Sequence, residues 1–320
     1  MRMRSMLAAA VAGSALLGAQ PVSGPVEGYL FDTPAKRFRA VRGIPGAATL
    51  APPAGPEFEA GWVAPARDWG IGCRESRCSV LTALGAEAPA ERELPGEYPE
   101  VDGAAWSGDG SVAVLYSSRA GWVRVVSGLP ASPGEGIALS TAPLAGRLAA
   151  VAALDGGEAV IAMAGEGGGV FRVRSGDFLP LLPLDGPVAL EARARDGRLF
   201  VLDRAGRVTG VHLATGAIEE SFETGLEDPR ALLAGTFAGR GVLYAAGGRD
   251  QAVRLLDAET GEVRAGRELP VPPGGLEQFG RNSLICGTRR AAGEPLWMLV
   301  PGEDLAVFFI PPGEPEAGQP

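Results

Sequence analysis

Arg230-Ala-Leu-Leu-Ala-Gly-Thr236, followed by Ala238-Gly-Arg-Gly241 and Val242-Leu-Tyr-Ala-Ala246, reads as an apolar strand, a glycine turn and a second apolar strand. The polar stretch Gly247-Gly-Arg-Asp-Gln251 leads into a third strand, Ala252-Val-Arg-Leu-Leu256. Asp257-Ala-Glu-Thr-Gly261 then turns the chain into a more polar fourth strand, Glu262 to Leu269. Asp257 is suited to accept backbone N–H bonds from the residues just ahead, and Gly261 to take the positive φ that closes the hairpin. Four short strands in about 44 residues make one blade of a β-propeller.

The unit repeats. Turn signals stand at Asp68, Asp109-Gly110, Asp155-Gly156, Asp196-Gly197, Ala238-Gly239 and Gly280, at intervals of 41, 46, 41, 42 and 42 residues. Units therefore fall at 59–100, 101–143, 144–184, 185–226, 227–270 and 271–312. In the second unit Ser132 to Pro143 is loop-like and its fourth strand is weak. Ahead of the first unit, Gly28-Tyr-Leu-Phe-Asp32 and Phe38-Arg-Ala-Val-Arg42 read like third and fourth strands alone. Residues 26 to 58 thus form a thin seventh blade or supplement the last one. The fold class is all-β, a single β-propeller domain over 26–312 with six or seven four-stranded blades, seven being favoured. N- and C-terminal strands are expected to close the ring, because an open blade would leave strand edges and an apolar face in water.

Of the 320 residues, 48 are glycine and 27 proline, and the period assigns those glycines to turns. A net charge of −9, with Lys36 the only lysine, gives no basic face for a phosphate backbone, so nucleic acid is excluded as a partner. Met1-Arg-Met-Arg4, the apolar stretch Met6 to Leu17 and the small residues of Leu17-Gly-Ala19 make a signal peptide over 1–19, cut after Ala19. A linker spans 20–25. The mature protein is then periplasmic or extracellular, without stable membrane insertion, and the proline-rich 313–320 is a disordered tail. Cys73 and Cys78 flank Arg-Glu-Ser-Arg in a hairpin that could bring them within disulfide reach in an oxidising compartment. Cys286 reads as a buried strand thiol, and with no CxxC pair the three cysteines do not outline a zinc site.

The segment Gly28-Tyr-Leu-Phe-Asp32 with Val41-Arg-Gly-Ile-Pro-Gly-Ala47 resembles the opening of a group of uncharacterised secreted bacterial propeller proteins. Ala306-Val-Phe-Phe-Ile-Pro311 is similar to their ending. The Asp-x-x-Thr-Gly turn at 257–261 resembles the YVTN and NHL types of repeat, which occur in both binding proteins and enzymes. The resemblance implies the propeller fold and specifies no chemistry.

Catalytic signals are sparse. His212 is the only histidine and lies in Arg207-Val-Thr-Gly-Val-His-Leu, where it reads as an exposed strand residue rather than a general base. Gly165-Glu-Gly-Gly-Gly169 leads into a strand, not the helix that a phosphate loop needs. Asp102, Asp185, Asp228 and Glu277 precede or enter innermost strands, beside the expected channel mouth, as candidate oxygen ligands for Ca²⁺ or Mg²⁺ or as ordinary turn formers. Loops between second and third strands carry Arg74, Arg77, Arg119, Arg204, Arg249, Arg289 and Arg290. These either keep the rim soluble or form a face for a carboxylate ligand or acidic peptide. Trp62, Trp69, Trp106, Trp122 and Trp297 are expected to pack between blades. The leading expectation is an exported, non-enzymatic binding or interaction scaffold without a cofactor, whose partner is a protein, peptide or small molecule. The alternative is a divalent-metal-dependent hydrolase of the propeller lactonase kind.

Overall fold

The computed structural model describes residues 24–193, 196–280, 282–286, 291, 293–302 and 304–312. The expected signal peptide, Arg289, Arg290 and the 313–320 tail lie outside the described residues, as does most of the 20–25 linker. Seven antiparallel sheets follow one another along the chain, each contiguous in sequence, with no α-helix among the described residues. The first holds β1 (Val26–Asp32), β2 (Arg37–Arg42) and β3 (Thr49–Leu50). The second holds β4 (Ala60–Val63), β5 (Gly70–Arg74), β6 (Arg77–Thr82) and β7 (Ala90–Glu93). The third runs β8 (Gly103–Trp106), β9 (Val112–Ser117), β10 (Trp122–Ser127) and β11 (Ile137–Ser140). The fourth runs β12 (Arg147–Leu154), β13 (Glu158–Ala164), β14 (Gly169–Arg174) and β15 (Asp177–Leu182). The fifth runs β16 (Pro187–Arg193), β17 (Arg198–Asp203), β18 (Arg207–His212) and β19 (Ile218–Glu223). The sixth runs β20 (Pro229–Phe237), β21 (Arg240–Gly247), β22 (Ala252–Asp257) and β23 (Val263–Glu268), and the seventh β24 (Leu276–Phe279), β25 (Ser283–Cys286), β26 (Leu296–Val300) and β27 (Ala306–Ile310). This is a seven-bladed β-propeller, six blades having four strands and the first having three.

Every blade from the second to the seventh lies within the unit that the repeat predicts, and each turn signal joins a first strand to a second. Turn chemistry works as the residues require. The Asp257 carboxylate accepts the backbone N–H groups of Glu259 and Thr260, and Gly261 sits at φ 72°. A Cβ there would also strike the Phe222 ring, so alanine is excluded by two effects.

Alternation in the middle strands builds the core. In β13, Ala159, Ile161 and Met163 point to the third blade and pack with Val112, Val114 and Val123. Their neighbours Val160 and Ala162 point to the fifth blade, against Leu190, Leu199 and Val201. A strand buried on both faces reads as continuous apolar sequence, as β13 does. Seven such clusters occupy the seven junctions between blades.

The N-terminal fragment is a thin blade of its own, but its strands are not the third and fourth. Glu27 and Gly28 meet Gly280 and Phe279 at the exit of β24, while Phe31 meets Gly61 near the start of β4. β1 therefore runs opposite to the innermost strands beside it, as a second strand does. The N–H of Phe58 bonds the carbonyl of Lys36 just before β2, as the N–H groups of Thr224 and Leu269 bond Gly206 and Gln251 just before third strands. β1, β2 and β3 thus hold the second, third and fourth places of a blade whose innermost place has no strand among the described residues.

Ring closure joins the N- and C-terminal strands, as expected, and does so through side chains: among the described residues no strand is shared between the two ends. Leu30, Val41, Ala48 and Leu50 of the first blade pack on Phe279, Ile285, Leu296, Met298 and Ile310 of the seventh. The Ser283 hydroxyl donates to Glu27 Oε1 across the same junction, at 2.9 Å. On the other side Phe38 stacks edge-on between Phe31 and Phe58. Met298 is fully buried at the closing junction. Met298→Ala should lower unfolding free energy by about 2–5 kcal/mol in urea titrations, and an unchanged midpoint would place the closure elsewhere.

Candidate functional site

The antiparallel order of each blade sorts its connections between two faces. Turns between first and second strands lie on one face, here called lower. Loops between second and third strands share the upper face with the segments that lead into the innermost strands. Backbone bonds tie these two together within a blade: Arg204 N–H to the Gly186 carbonyl and Gly248 N–H to that of Asp228.

The arginines predicted for this face differ in their surroundings. Arg74 pairs with Glu91 at 3.0 Å and lies over the Phe58 ring, and Arg77 pairs with Glu93, so both lean toward the outer strand of the second blade. Arg119 and Arg204 are exposed on the upper loops of the third and fifth blades. Arg249 is exposed on the sixth, 3.6 Å from Glu227. An open pair at that distance contributes about 0–1 kcal/mol and is readily exchanged for another carboxylate. Arg289 and Arg290 lie outside the described residues.

The four acids have separate settings. Asp102 accepts from the Ser118 N–H and hydroxyl and from the Arg119 N–H, capping the neighbouring loop. Asp228, at φ 51°, is held by Arg230 at 2.8 Å. Asp185 is exposed, its carbonyl accepting the Gly165 N–H. Asp102 and Glu277 line one cavity of about 340 Å³ at the upper mouth, with Glu59, Trp62, Phe31 and Thr33; Asp185 and Asp228 do not line it. Among the described residues no group of three or more His, Cys, Asp or Glu side chains is placed to hold a metal ion.

The channel beneath, also about 340 Å³, is walled by innermost strands. Small and apolar residues such as Ala104, Ala152, Leu190 and Leu232 alternate there with Trp62, Trp106, Glu191 and Glu277. Glu191 went unnoticed in the sequence. Its signal is a single acid inside the apolar run Val188-Ala-Leu-Glu-Ala192 of an innermost strand. Burial pushes this carboxyl from its usual 4.5 up to about 8, against a lowering hydrogen bond from the Ala234 backbone. At the lower mouth Asp155 is raised by burial and by the charge of Asp109, whereas Asp109 is lowered by bonds from Ser111 and Ser107.

Other predicted residues have structural surroundings. Cys73 and Cys78 stand opposite each other on β5 and β6 and are disulfide-linked, with Cα atoms 4.1 Å apart. Cys286 is buried, and burial foremost, with the nearby Glu277 charge, pushes its thiol up to about 12, leaving it an inert core group. His212 is partly exposed at the end of β18, its Nδ1 3.2 Å from the Thr215 hydroxyl. Trp69 is buried edge-on against Trp106 at 5.1 Å, and Trp297 tilts against Phe309 within the seventh blade. Trp62 and Trp106 also face the channel.

Comparison with solved structures agrees with this architecture. The chain is similar to a chain of the mitotic checkpoint complex crystal structure, with TM-score 0.58 and 14% identity over 82% of this chain and 88% of that one. The WD40 β-propeller domain of Doa1 gives TM-score 0.58 and 13% identity, covering 79% and 83%. BBS1N, solved in complex with ARL6DN, gives 0.52 and 16%, covering 82% and 88%. At such identities the likeness is one of fold alone, that of the β-propeller. No family model and no curated protein matches the chain. No helix among the described residues is long and apolar enough to cross a membrane.

Glu191 makes the stability of the ring depend on pH. Between about 4.5 and about 8 the unfolded chain has lost this proton while the native state keeps it, so native stability falls as pH rises through that window and levels off above it. Glu191→Gln should remove the dependence. Urea midpoints compared at pH 5.5 and 8.5 should shift in the variant's favour at the higher pH, and parallel profiles would show that Glu191 titrates normally.

Proposed function

We propose that this chain is an exported, non-catalytic scaffold that binds an acidic protein or peptide segment on its upper face. One observation carries the reading: Arg119, Arg204 and Arg249 stand exposed on upper loops of three blades, on one side of a rigid ring. Guanidinium groups recognise carboxylates through paired hydrogen bonds, and rigid placement limits the entropy lost on binding. Each loop is anchored at its base. Asp102 caps the Arg119 loop, and the Gly186 and Asp228 carbonyls hold the loops of Arg204 and Arg249. The protein neighbours of this fold support a binding role, since one was solved within a checkpoint complex and another with ARL6DN bound.

The test uses an array of synthetic peptides rich in Asp and Glu, read by fluorescence anisotropy. Arg119→Glu, Arg204→Glu and Arg249→Glu together should weaken the best binder at least about tenfold, with melting unchanged, and added salt should weaken it further. Unaltered affinity in the triple variant would move recognition off this face. Export belongs to the same reading and rests on Met1 to Ala19. N-terminal sequencing of secreted material should begin at Gln20, and a recovered chain starting at Met1 would remove it.

A further inference from the structure

We propose that the central channel binds a small organic cation with an apolar or aromatic body, Glu191 taking the charge and the indole rings of Trp62 and Trp106 the body. This site lies below the arginines of the upper loops and does not depend on them.

The channel has the size and the walls of a small-molecule site. The described residues leave a volume of about 340 Å³ there, and such sites occupy about 300–1,000 Å³, mostly apolar with a few placed polar groups. All six innermost strands, β4, β8, β12, β16, β20 and β24, contribute to the wall, so its shape is set by paired strands rather than by loops. The channel shares Trp62 and Glu277 with the upper mouth cavity and Gly108 and Glu191 with the lower one, which makes it accessible from both faces.

The fold itself does not require a carboxyl at Glu191. β12, β16 and β20 each bulge near their start, and the third paired residue after the bulge is Ala152, Glu191 and Leu233 in turn. All three line the channel, and apolar side chains serve the place in both neighbouring blades. Glu191 keeps partial exposure to the channel and accepts a hydrogen bond from the Ala234 backbone of β20. A bound cation brings the opposite charge that favours the ionised carboxylate in such a desolvated place. The second and third blades supply aromatic rings to the same volume. Trp69, edge-on at 5.1 Å, fixes Trp106, and Gly103, where a Cβ would strike the Tyr116 ring, lets that ring lie along the wall. Aromatic faces attract cations, the more so where water is excluded. An anion would meet the carboxyl as a like charge, and an uncharged guest would draw nothing from it.

The other charged and titratable groups around Glu191 among the described residues are Arg193 and Asp196, paired with each other, Asp109 and Asp155 at the lower mouth, and Glu277 and Tyr116 along the channel. Removing the Glu191 carboxyl alone separates its titration from theirs. Benzyltrimethylammonium is the probe, because its charge does not change with pH, and benzyl alcohol keeps the ring without the charge. Each is titrated into the purified full-length chain by isothermal titration calorimetry at pH 6.5 and 8.5. The cation should bind with about millimolar or better affinity at the higher pH. At the lower pH it must displace the Glu191 proton and should bind at least about tenfold more weakly. Glu191→Gln should lower the affinity at pH 8.5 about tenfold and make the two pH values alike, while benzyl alcohol should bind both chains equally and at least about tenfold more weakly than the cation. Absence of cation binding at about 10 mM, unchanged affinity in Glu191→Gln, or a cation held no better than benzyl alcohol would each overturn the proposal. Charge reversal at Arg119, Arg204 and Arg249 should leave the cation's affinity unchanged, so failure here and failure of the upper-face reading are told apart.

Discussion

Burial of both faces of every blade is the constraint on which the molecule depends. A small twisted sheet of short strands, apolar on both sides, has no stable existence in water, and stacking it radially removes both faces at once. The fourth blade shows the division most plainly, with Ile161 and Met163 serving one junction and Val160 and Ala162 the other. Each junction is a continuous apolar cluster, so the contribution of any blade depends on having neighbours on both sides. A linear stack would leave two such faces exposed, and the ring leaves none.

Closure is where that requirement is hardest to meet, because among the described residues no ladder joins the first and last blades. Side-chain packing does the work, through Leu30 and Val41 against Met298 and Ile310, with glycines allowing close approach. A Cβ on Gly28 would strike Phe279, and one on Gly61 would strike Phe31, so these two positions let the innermost strands of the seventh and second blades lean toward β1. The lean partly compensates for the innermost strand that this blade lacks among the described residues.

The two faces of the ring have different chemistry for topological reasons. Lower turns are short and rich in Asp and Gly, because they reverse the chain between adjacent strands and need positive φ or side-chain acceptance of backbone N–H groups. Upper loops carry charged side chains around the mouth and are pinned by bonds to the segments beside them. Between them alanine and leucine are the commonest residues of the channel wall, and the Glu191 carboxyl placed there is desolvated. That is why Glu191 holds its proton above the ordinary carboxylate range.

The repeat spacing, the turn residues and the apolar runs were legible from the chain alone, because a period of two within strands and of about 42 between blades is written in local residue order. Asp257 and Gly261, the buried Cys286 and the blade limits followed from that order. Which place the N-terminal strands hold was not legible, since Gly28 to Asp32 has the composition of any middle strand and its rank depends on the direction of its neighbours. The same holds for the site. Exposed arginines could be named from the sequence, but only packing shows that Arg74 and Arg77 turn to glutamates on the outer strand, or that Glu191 faces the central channel. Local sequence determined the blades; contacts between residues far apart in the chain decided how the ring closes, which places the first three strands hold and which acid keeps its proton.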